Sequence, residues 1–365
     1  MLLGLETLKC VSLPLLLRIM PYNELRKDYL LNRWVVIATA RARRPIDLAK
    51  PRPEAAKTAN CPMCVGNENM TPPAVLLYLK GNGKIQKAKD PSTGERPKNW
   101  LVRTIPNLFP AFTPPQEPQD TAQIFKSENL GYAVGHHEVV IESPNHDQDP
   151  ADAELPQLEL VINAYVDRFR ELSAKPYVKF VSIFRNFGLD AGASLSHAHS
   201  QIIATPMVPK LIEEELDASK SYQLKNGRCA FCEIIEAEAK GPRLVFENKD
   251  FVVFTAYAGI NPLEFWIAPK QHSPSILSLT PKKQAALAET LKISLKALKD
   301  VVNDPPYNYG FHQSHNPLDS ESYHWHLEVY PKLATWAGFE KSTGVYINTV
   351  TPEAAAESLR KAIKP

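Results

Sequence analysis

The stretch that decides the fold is Ser196-His197-Ala198-His199-Ser200-Gln201. Alternate residues of a β-strand share one face, so His197, His199 and Gln201 point the same way if the stretch is extended. The run Tyr177-Val-Lys-Phe-Val-Ser-Ile-Phe184 ahead of it is rich in β-branched and aromatic residues and reads as a strand. Between them lies Asn186-Phe-Gly-Leu-Asp-Ala-Gly192-Ala-Ser194, whose glycines let backbone N–H groups come close to a phosphate. Imidazole attacks phosphorus well when one ring nitrogen is held by a carbonyl and the other is bare. His199 is therefore the candidate nucleophile. Gln201 can donate its amide to a phosphoryl oxygen without adding charge. Asn186, Gly192 and Ser194 are candidate phosphate contacts. The competing reading makes all three strand residues core or metal ligands.

The same pattern recurs further along. Each half of the chain runs Cys-x-x-Cys, strands, a lone histidine after a proline-containing turn, a helix, then His-x-His. The first set is Cys61/Cys64, His146 and His197/His199; the second is Cys229/Cys232, His272 and His324/His326. From the lone histidine to the first of the pair is 51 residues (146 to 197) in one half and 52 (272 to 324) in the other. Two thiolates and two imidazoles make a closed, structural zinc site. The repeat predicts two per chain: Cys61, Cys64, His146 and His197, then Cys229, Cys232, His272 and His324. Iron is an alternative at the second. A redox pair would open a helix directly after a strand, whereas Cys61-Pro-Met-Cys64 follows a Pro- and Ala-rich loop. If His197 is a metal ligand, the metal anchors the strand and leaves its neighbour His199 free to react. The second half lacks the glycine cradle. Acids occupy its upstream turn, and Glu328 stands where Gln201 stands, so His326 and Glu328 are expected to serve structure or an interface.

Around these motifs, helices are expected over 155–174, near 281–300, and after Thr351-Pro352, which supply an N-cap and a first-turn proline. Strands are expected at 33–38, 137–142, 244–256, 262–268 and 324–330, with loops at 82–99 and 113–119. The fold class is α+β: duplicated units of antiparallel sheet with helices packed on them. The expected division is an extension at 1–20, a catalytic unit at 21–215 and a second unit at 216–365. Met20 is the natural beginning, and Val11–Leu17 makes a poor signal peptide, so the expected compartment is the cytoplasm.

The chain has 365 residues, with 42 basic against 40 acidic side chains and a net charge of +2. That balance argues against a nucleic-acid partner, and no apolar run is long enough to span a bilayer. Any anion site must be local. Arg41 and Arg44, in Arg41-Ala-Arg-Arg44-Pro45, are candidate phosphate clamps, since guanidinium binds phosphate bidentately. Asn107, in Pro106-Asn-Leu-Phe-Pro110, is a candidate contact for a base or ribose.

Taken together, His197-Ala-His199-Ser-Gln201, Asn32-Arg-Trp-Val-Val36, Cys61-Pro-Met-Cys64, Asn107-Leu-Phe-Pro110, Ser143-Pro-Asn-His146 and His324-Trp-His326 resemble the galactose-1-phosphate uridylyltransferase family. This is a branch of the histidine-triad superfamily, and the resemblance covers about residues 22–360. It implies two related αβ half-barrel-like sheets, a homodimer, and nucleotide-sugar and sugar-phosphate partners from galactose metabolism. It also implies a ping-pong reaction: UDP-glucose gives UMP to His199, and galactose 1-phosphate takes it away. Ala198 replaces the proline usual between the two histidines. The second Cys-x-x-Cys and Gly192-Ala-Ser-Leu-Ser-His197 look more like the subgroup containing ADP-glucose phosphorylase. A phosphorylase moving AMP from an ADP-sugar or dinucleoside polyphosphate to phosphate is thus the alternative. A non-catalytic zinc scaffold is the alternative of another class.

Overall fold

A computed structural model describes residues 23–43, 61–81, 83–116 and 124–363. The N-terminal extension, Cys10 and Arg44 lie outside the described residues.

Strand β9 (Phe180–Phe187) and strand β10 (His199–Thr205) form the hairpin foreseen around the histidines, with Gln201 opposite Phe184. Outward from β10 come β8 (His136–Ile141), β5 (Trp100–Pro106), β3 (Leu76–Lys80) and β4 (Ile85–Ala88). Strand β4 falls inside the stretch read as loop from its polar composition. It is an edge strand whose residues are almost all exposed, so it carries no apolar alternation to betray it. On the other side, β9 pairs with β14 (Tyr307–His312), which leads through β15 (His326–Pro331), β13 (Phe265–Pro269) and β12 (Phe251–Thr255) to β11 (Leu244–Glu247). The two units therefore share one eleven-stranded antiparallel sheet, joined where Asn308 faces Asn186 and Gly310 faces Phe184.

One face of this sheet is the core. Helix α1 (Leu155–Ser173) presents Leu158, Val161, Ile162, Tyr165, Phe169 and Leu172 at helical spacing. Helix α4 (Pro281–Val302) is capped by Thr280, whose side chain accepts from the Lys283 N–H, and presents Leu287, Leu291, Leu295 and Leu298. Helix α6 (Pro352–Ala362), capped by Thr351 as expected, packs on α4. Val181, Ile183 and Phe187 of β9 and Tyr307, Tyr309 and Phe311 of β14 bury against these helices. Each such side chain contributes about 1.5–3 kcal/mol on burial. By alternation Ser182, Phe184, Asn186, Asn308 and Gly310 face the other way, where they are only half-buried.

That second face is covered at its two ends. The Cys61–Cys64 segment packs on Ile105, Val139 and Ile141. Helices α2 (Lys210–Asn226) and α3 (Ala230–Glu238) cover the other end; α2 runs unbroken through residues 215 and 216. A small sheet of β1 (Glu24–Lys27), β2 (Trp34–Ile37) and β16 (Tyr346–Asn348) lies beside the second half, where Val35 and Ile37 pack on Ala258 and Ile260. No helix among the described residues is long and apolar enough to cross a membrane.

Candidate active site and metal centres

His199 opens β10 opposite Ile141 of β8. Continuing the β9–β10 register by two residues brings Asn186 opposite it on the same face. His199 Nδ1–H donates to the His197 carbonyl at 2.7 Å. In the neutral ring this leaves Nε2 bare. Burial holds the His199 pKa below its ordinary value, opposed by that hydrogen bond, and the neighbouring Arg185 guanidinium lowers it further. Arg185 lies on the core side of β9, buried and paired with Glu142 (3.1 Å) and Asp149 (2.8 Å). Ser200, also on the core side, accepts from Tyr165 Oη at 2.7 Å.

Gln201 is held from β8. The Ala111 N–H donates to His137 Nδ1 (3.1 Å), which must therefore be bare. A neutral imidazole carries one proton, so Nε2–H is the donor, and it meets Gln201 Oε1 at 2.8 Å. The Gln201 NH2 is turned away from His137. Asn107 stands beside the same ring, Nδ2 3.1 Å from His137 Nε2, with its Oδ1 accepting from the Phe109 N–H. The glycine loop forms a 3-10 turn, Leu189–Ala191, closed by Gly192 at φ +89°, a left-handed conformation that favours glycine. Gly192 and Ser194 are exposed at its rim. Arg41 is elsewhere. It follows β2 in the small sheet beside the second half and shares no hydrogen bond or ion pair with His199, Gln201 or Asn186 among the described residues.

Both predicted cysteine–histidine sets assemble, each with its ligand atoms within 4.8 Å of one another. In the first, Cys64 Sγ lies 3.2 Å from His146 Nδ1 and 3.5 Å from His197 Nδ1. In the second, Cys232 Sγ lies 3.2 Å from His272 Nδ1 and 3.4 Å from His324 Nδ1. Each Nε2 is occupied outward: His197 donates to Ser143 O, His324 to Pro269 O and His272 to Ser320 O, all at 2.8 Å, and His146 pairs with Ser196 Oγ at 3.0 Å. That tautomer aims Nδ1 inward at the thiols, the arrangement a metal requires of its imidazoles. Two sulfurs and two nitrogens at these separations suit a tetrahedral ion.

A third group, Glu215, His312, His326 and Glu328, also has its ligand atoms within 4.8 Å and is wholly buried. Its members already pair with one another and with two tyrosines: His312 with Glu215 (2.9 Å), His326 with Glu328 (3.1 Å), Tyr323 with Glu215 (2.6 Å), and Tyr330 with Glu328. The expectation that His326 and Glu328 serve structure agrees with this packing. On the open face a cleft of about 1020 Å³ is lined by Asn308, Tyr330, Lys332, Trp336 and Tyr346.

The model of the galactose-1-phosphate uridyl transferase N-terminal domain matches residues 18–209, more than half of the chain. The protein belongs to the galactose-1-phosphate uridylyltransferase family. A second model, a domain of unknown function (DUF4921), matches residues 115–364. Among curated members of the family's wider circle, ADP-glucose phosphorylase of Arabidopsis thaliana is 36% identical, over 93% of this chain and 92% of that protein. Galactose-1-phosphate uridylyltransferase of Thermotoga maritima is 29% identical, over 93% and 98%. The crystal structure of the Arabidopsis ADP-glucose phosphorylase with bound ADP-glucose superposes with a TM-score of 0.77 at 33% identity, covering 93% of this chain and 99% of that one. A uridylyltransferase structure follows at 0.68 and 31%, covering 93% and 98%. The likeness spans both halves, so the second unit belongs to the family architecture as much as the first. Membership makes the chain a nucleotidyltransferase, with mixed α and β structure as read from the sequence.

Sequence reasoning missed His137, Glu215, His312 and Asn308. His137 had a signal: a strand histidine two residues from the buried Val139 lies on the face that Gln201 shares. Glu215 and His312 had none, because α2 brings Glu215 to β14 from 97 residues away.

Proposed function

We propose that the protein transfers a nucleotidyl group from a nucleotide sugar through a covalent nucleotidyl-His199. The carrying observation is the His199 ring itself, pinned by Nδ1–H on the His197 carbonyl with Nε2 bare at the head of β10. Nε2 attacks the phosphorus attached to the nucleoside, an Nε2–P bond forms, and the bond to the departing sugar phosphate oxygen breaks. The ring then carries positive charge, which the His197 carbonyl at Nδ1 stabilises. A sugar phosphate leaves without a proton, so Gln201, a donor with no acid, suffices beside it. The acceptor reverses the step and frees His199. The half-buried Asn186, the Gly192 backbone, Ser194 and Asn107 are assigned to the phosphates and nucleoside. In the same reading Arg41 and Arg44 are phosphate clamps.

We assign both Cys2His2 groups to zinc, with a structural role; no step runs through either ion. The first fixes the position of His197 and thereby its neighbour two residues on. We further infer a homodimer, in the cytoplasm, with units at 21–215 and 216–365.

For the donor, the 36% likeness to ADP-glucose phosphorylase over nearly the whole chain favours ADP-glucose, with phosphate as acceptor. UDP-glucose with galactose 1-phosphate is the second reading, supported by the Thermotoga uridylyltransferase likeness. Incubation with each donor alone, followed by intact-mass analysis, distinguishes them. An adenylyl adduct supports the first and a uridylyl adduct the second. No adduct with either donor would rule the covalent mechanism out.

A further inference from the structure

Asn308 belongs to β14, in the half that carries no nucleophile. Its side chain nevertheless reaches into the first half, where Nδ2 lies 2.7 Å from the Ala191 carbonyl and 2.8 Å from Asn186 Oδ1. The first contact settles the orientation of everything that follows. A backbone carbonyl only accepts and cannot turn round, so the Asn308 amide must present its nitrogen there. Its second hydrogen then points at Asn186, which must present oxygen in return. The Asn186 NH2 is thereby turned outward. It sits 3.8 Å from the place a Cβ on Gly192 would take, at the mouth of the glycine loop. No partner engages that NH2 among the described residues.

We propose that Asn308 is a positioning residue for nucleotide transfer: it locks the Asn186 amide with its donor face toward the phosphate and holds the Ala191–Gly192 turn against β9. This rests on the reading of His199 as the nucleophile. The result matches what His137 does for Gln201 from the opposite side. Both amides flanking His199 are set as donors, each by a relay ending on a backbone group that cannot flip. A phosphoryl group thus meets two neutral donors and no lone pair. The second unit, through β14, supplies one of the two relays, which gives it a part in chemistry it does not perform.

The test uses the full-length protein with ADP-glucose and UDP-glucose as donors, following the rate of adduct formation against donor concentration. Asn308→Asp keeps the size of the side chain but only accepts. It draws the Asn186 NH2 to itself and turns Asn186 oxygen toward the phosphate. Asn308→Ala frees the Asn186 amide without inverting it. One misdirected hydrogen bond to a charged group corresponds to about a 10- to 100-fold change. We expect kcat/KM to fall roughly 100-fold in Asn308→Asp and roughly 10-fold in Asn308→Ala. Metal content and melting temperature should stay close to those of the unaltered protein. Ser182→Asp, a carboxylate elsewhere on the same face, controls for charge and is expected to change kcat/KM by less than about threefold. The proposal is overturned if Asn308→Asp stays within about threefold of the unaltered protein. It is also overturned if Asn308→Ala falls as far as Asn308→Asp with a matching loss of melting temperature, the result of a merely structural strap, or if Ser182→Asp falls as far as Asn308→Asp. An unaltered protein that forms no adduct with either donor overturns the nucleophile itself, and the role of Asn308 with it.

Discussion

The two halves hold the same strand register around their second histidines and put it to opposite uses. Gln201 lies between Phe184 and Val139; Glu328 lies between Gly310 and Trp266. Both histidine pairs keep the first member's Nδ1 toward cysteine sulfur and its Nε2 on a carbonyl. The second members diverge. His199 has half-buried Asn186 and Gln201 beside it and a bare Nε2. His326 is stacked on Trp266 at 4.4 Å and flanked by Phe231 at 4.9 Å, and its Nε2 is taken by Glu328. Leu31 and Arg33 close the remaining crevice, which at about 10 Å³ has no room for a nucleotide. The metal clamp and the sheet register are thus what the repeat preserves. The reactive histidine depends on what stands two residues away and on whether an aromatic ring has taken the open face.

The largest expected difference between the halves is at these histidines. His199→Ala should abolish the nucleotidyl adduct, a loss of at least about 10⁴-fold, since no other group can carry the nucleotide. His326→Ala should still form it at a rate within about threefold of the unaltered protein, despite a lower melting temperature from the space left beneath Trp266. An adduct surviving in His199→Ala, mapped by peptide mass, would move the nucleophile and dissolve the contrast.

Next in size is Gln201→Glu, which gives the first site the second site's residue. A carboxylate beside phosphate repels it and accepts where the amide donates, so kcat/KM should drop about 100- to 1000-fold. The melting temperature should change little, because Gln201 is only partly buried. A drop smaller than tenfold would mean that this position does not face the phosphate.

The metal clamps should separate stability from activity. Cys64→Ser and Cys232→Ser should each remove about one equivalent of zinc and cost several kcal/mol of stability, because bound metal contributes directly to folding. Cys64→Ser should also cut adduct formation roughly 10- to 100-fold by releasing His197, a loss typical of disturbed metal ligands. Cys232→Ser, measured at a temperature where it remains folded, should keep most of it. Equal losses in both would indicate that the second clamp also reaches the nucleophile.

The signals legible in the sequence were those with local periodicity or fixed spacing. The helical spacing of α1, the Thr351-Pro352 start of α6, the strand face of His197, His199 and Gln201, and the cysteine–histidine sets are of that kind. What stayed hidden depends on long-range pairing. Nothing near Asn308 shows that β14 will lie beside β9, and so nothing shows that Asn308 will meet Asn186. Helix α2 carries only a thin apolar stripe, with Ile212 buried among many charged residues, and its buried Glu215 is satisfied by partners far along the chain. The joining of two units into one sheet also lies beyond pattern reading, because an edge strand that pairs and one that stays open have the same alternation.

The smallest expected effect tests that join from its core side. Tyr309 of β14 and Tyr165 of α1 share a hydrogen bond of 2.8 Å, and Tyr165 in turn donates to Ser200, the residue after His199. All three are buried, so no water replaces a lost partner. Tyr309→Phe removes one hydroxyl from this chain while keeping the ring that packs on Phe311. It should lower stability by about 1 kcal/mol, the usual worth of one intramolecular hydrogen bond. It should leave adduct formation within about twofold, because Tyr165 can still reach Ser200 and Glu142. The companion Tyr165→Phe also strips Ser200 of its donor and should cost more on both counts. If Tyr309→Phe instead slowed the adduct as strongly as Asn308→Ala, β14 would act on the nucleophile through the core as well as across the open face. The second half would then support His199 from both sides of the sheet.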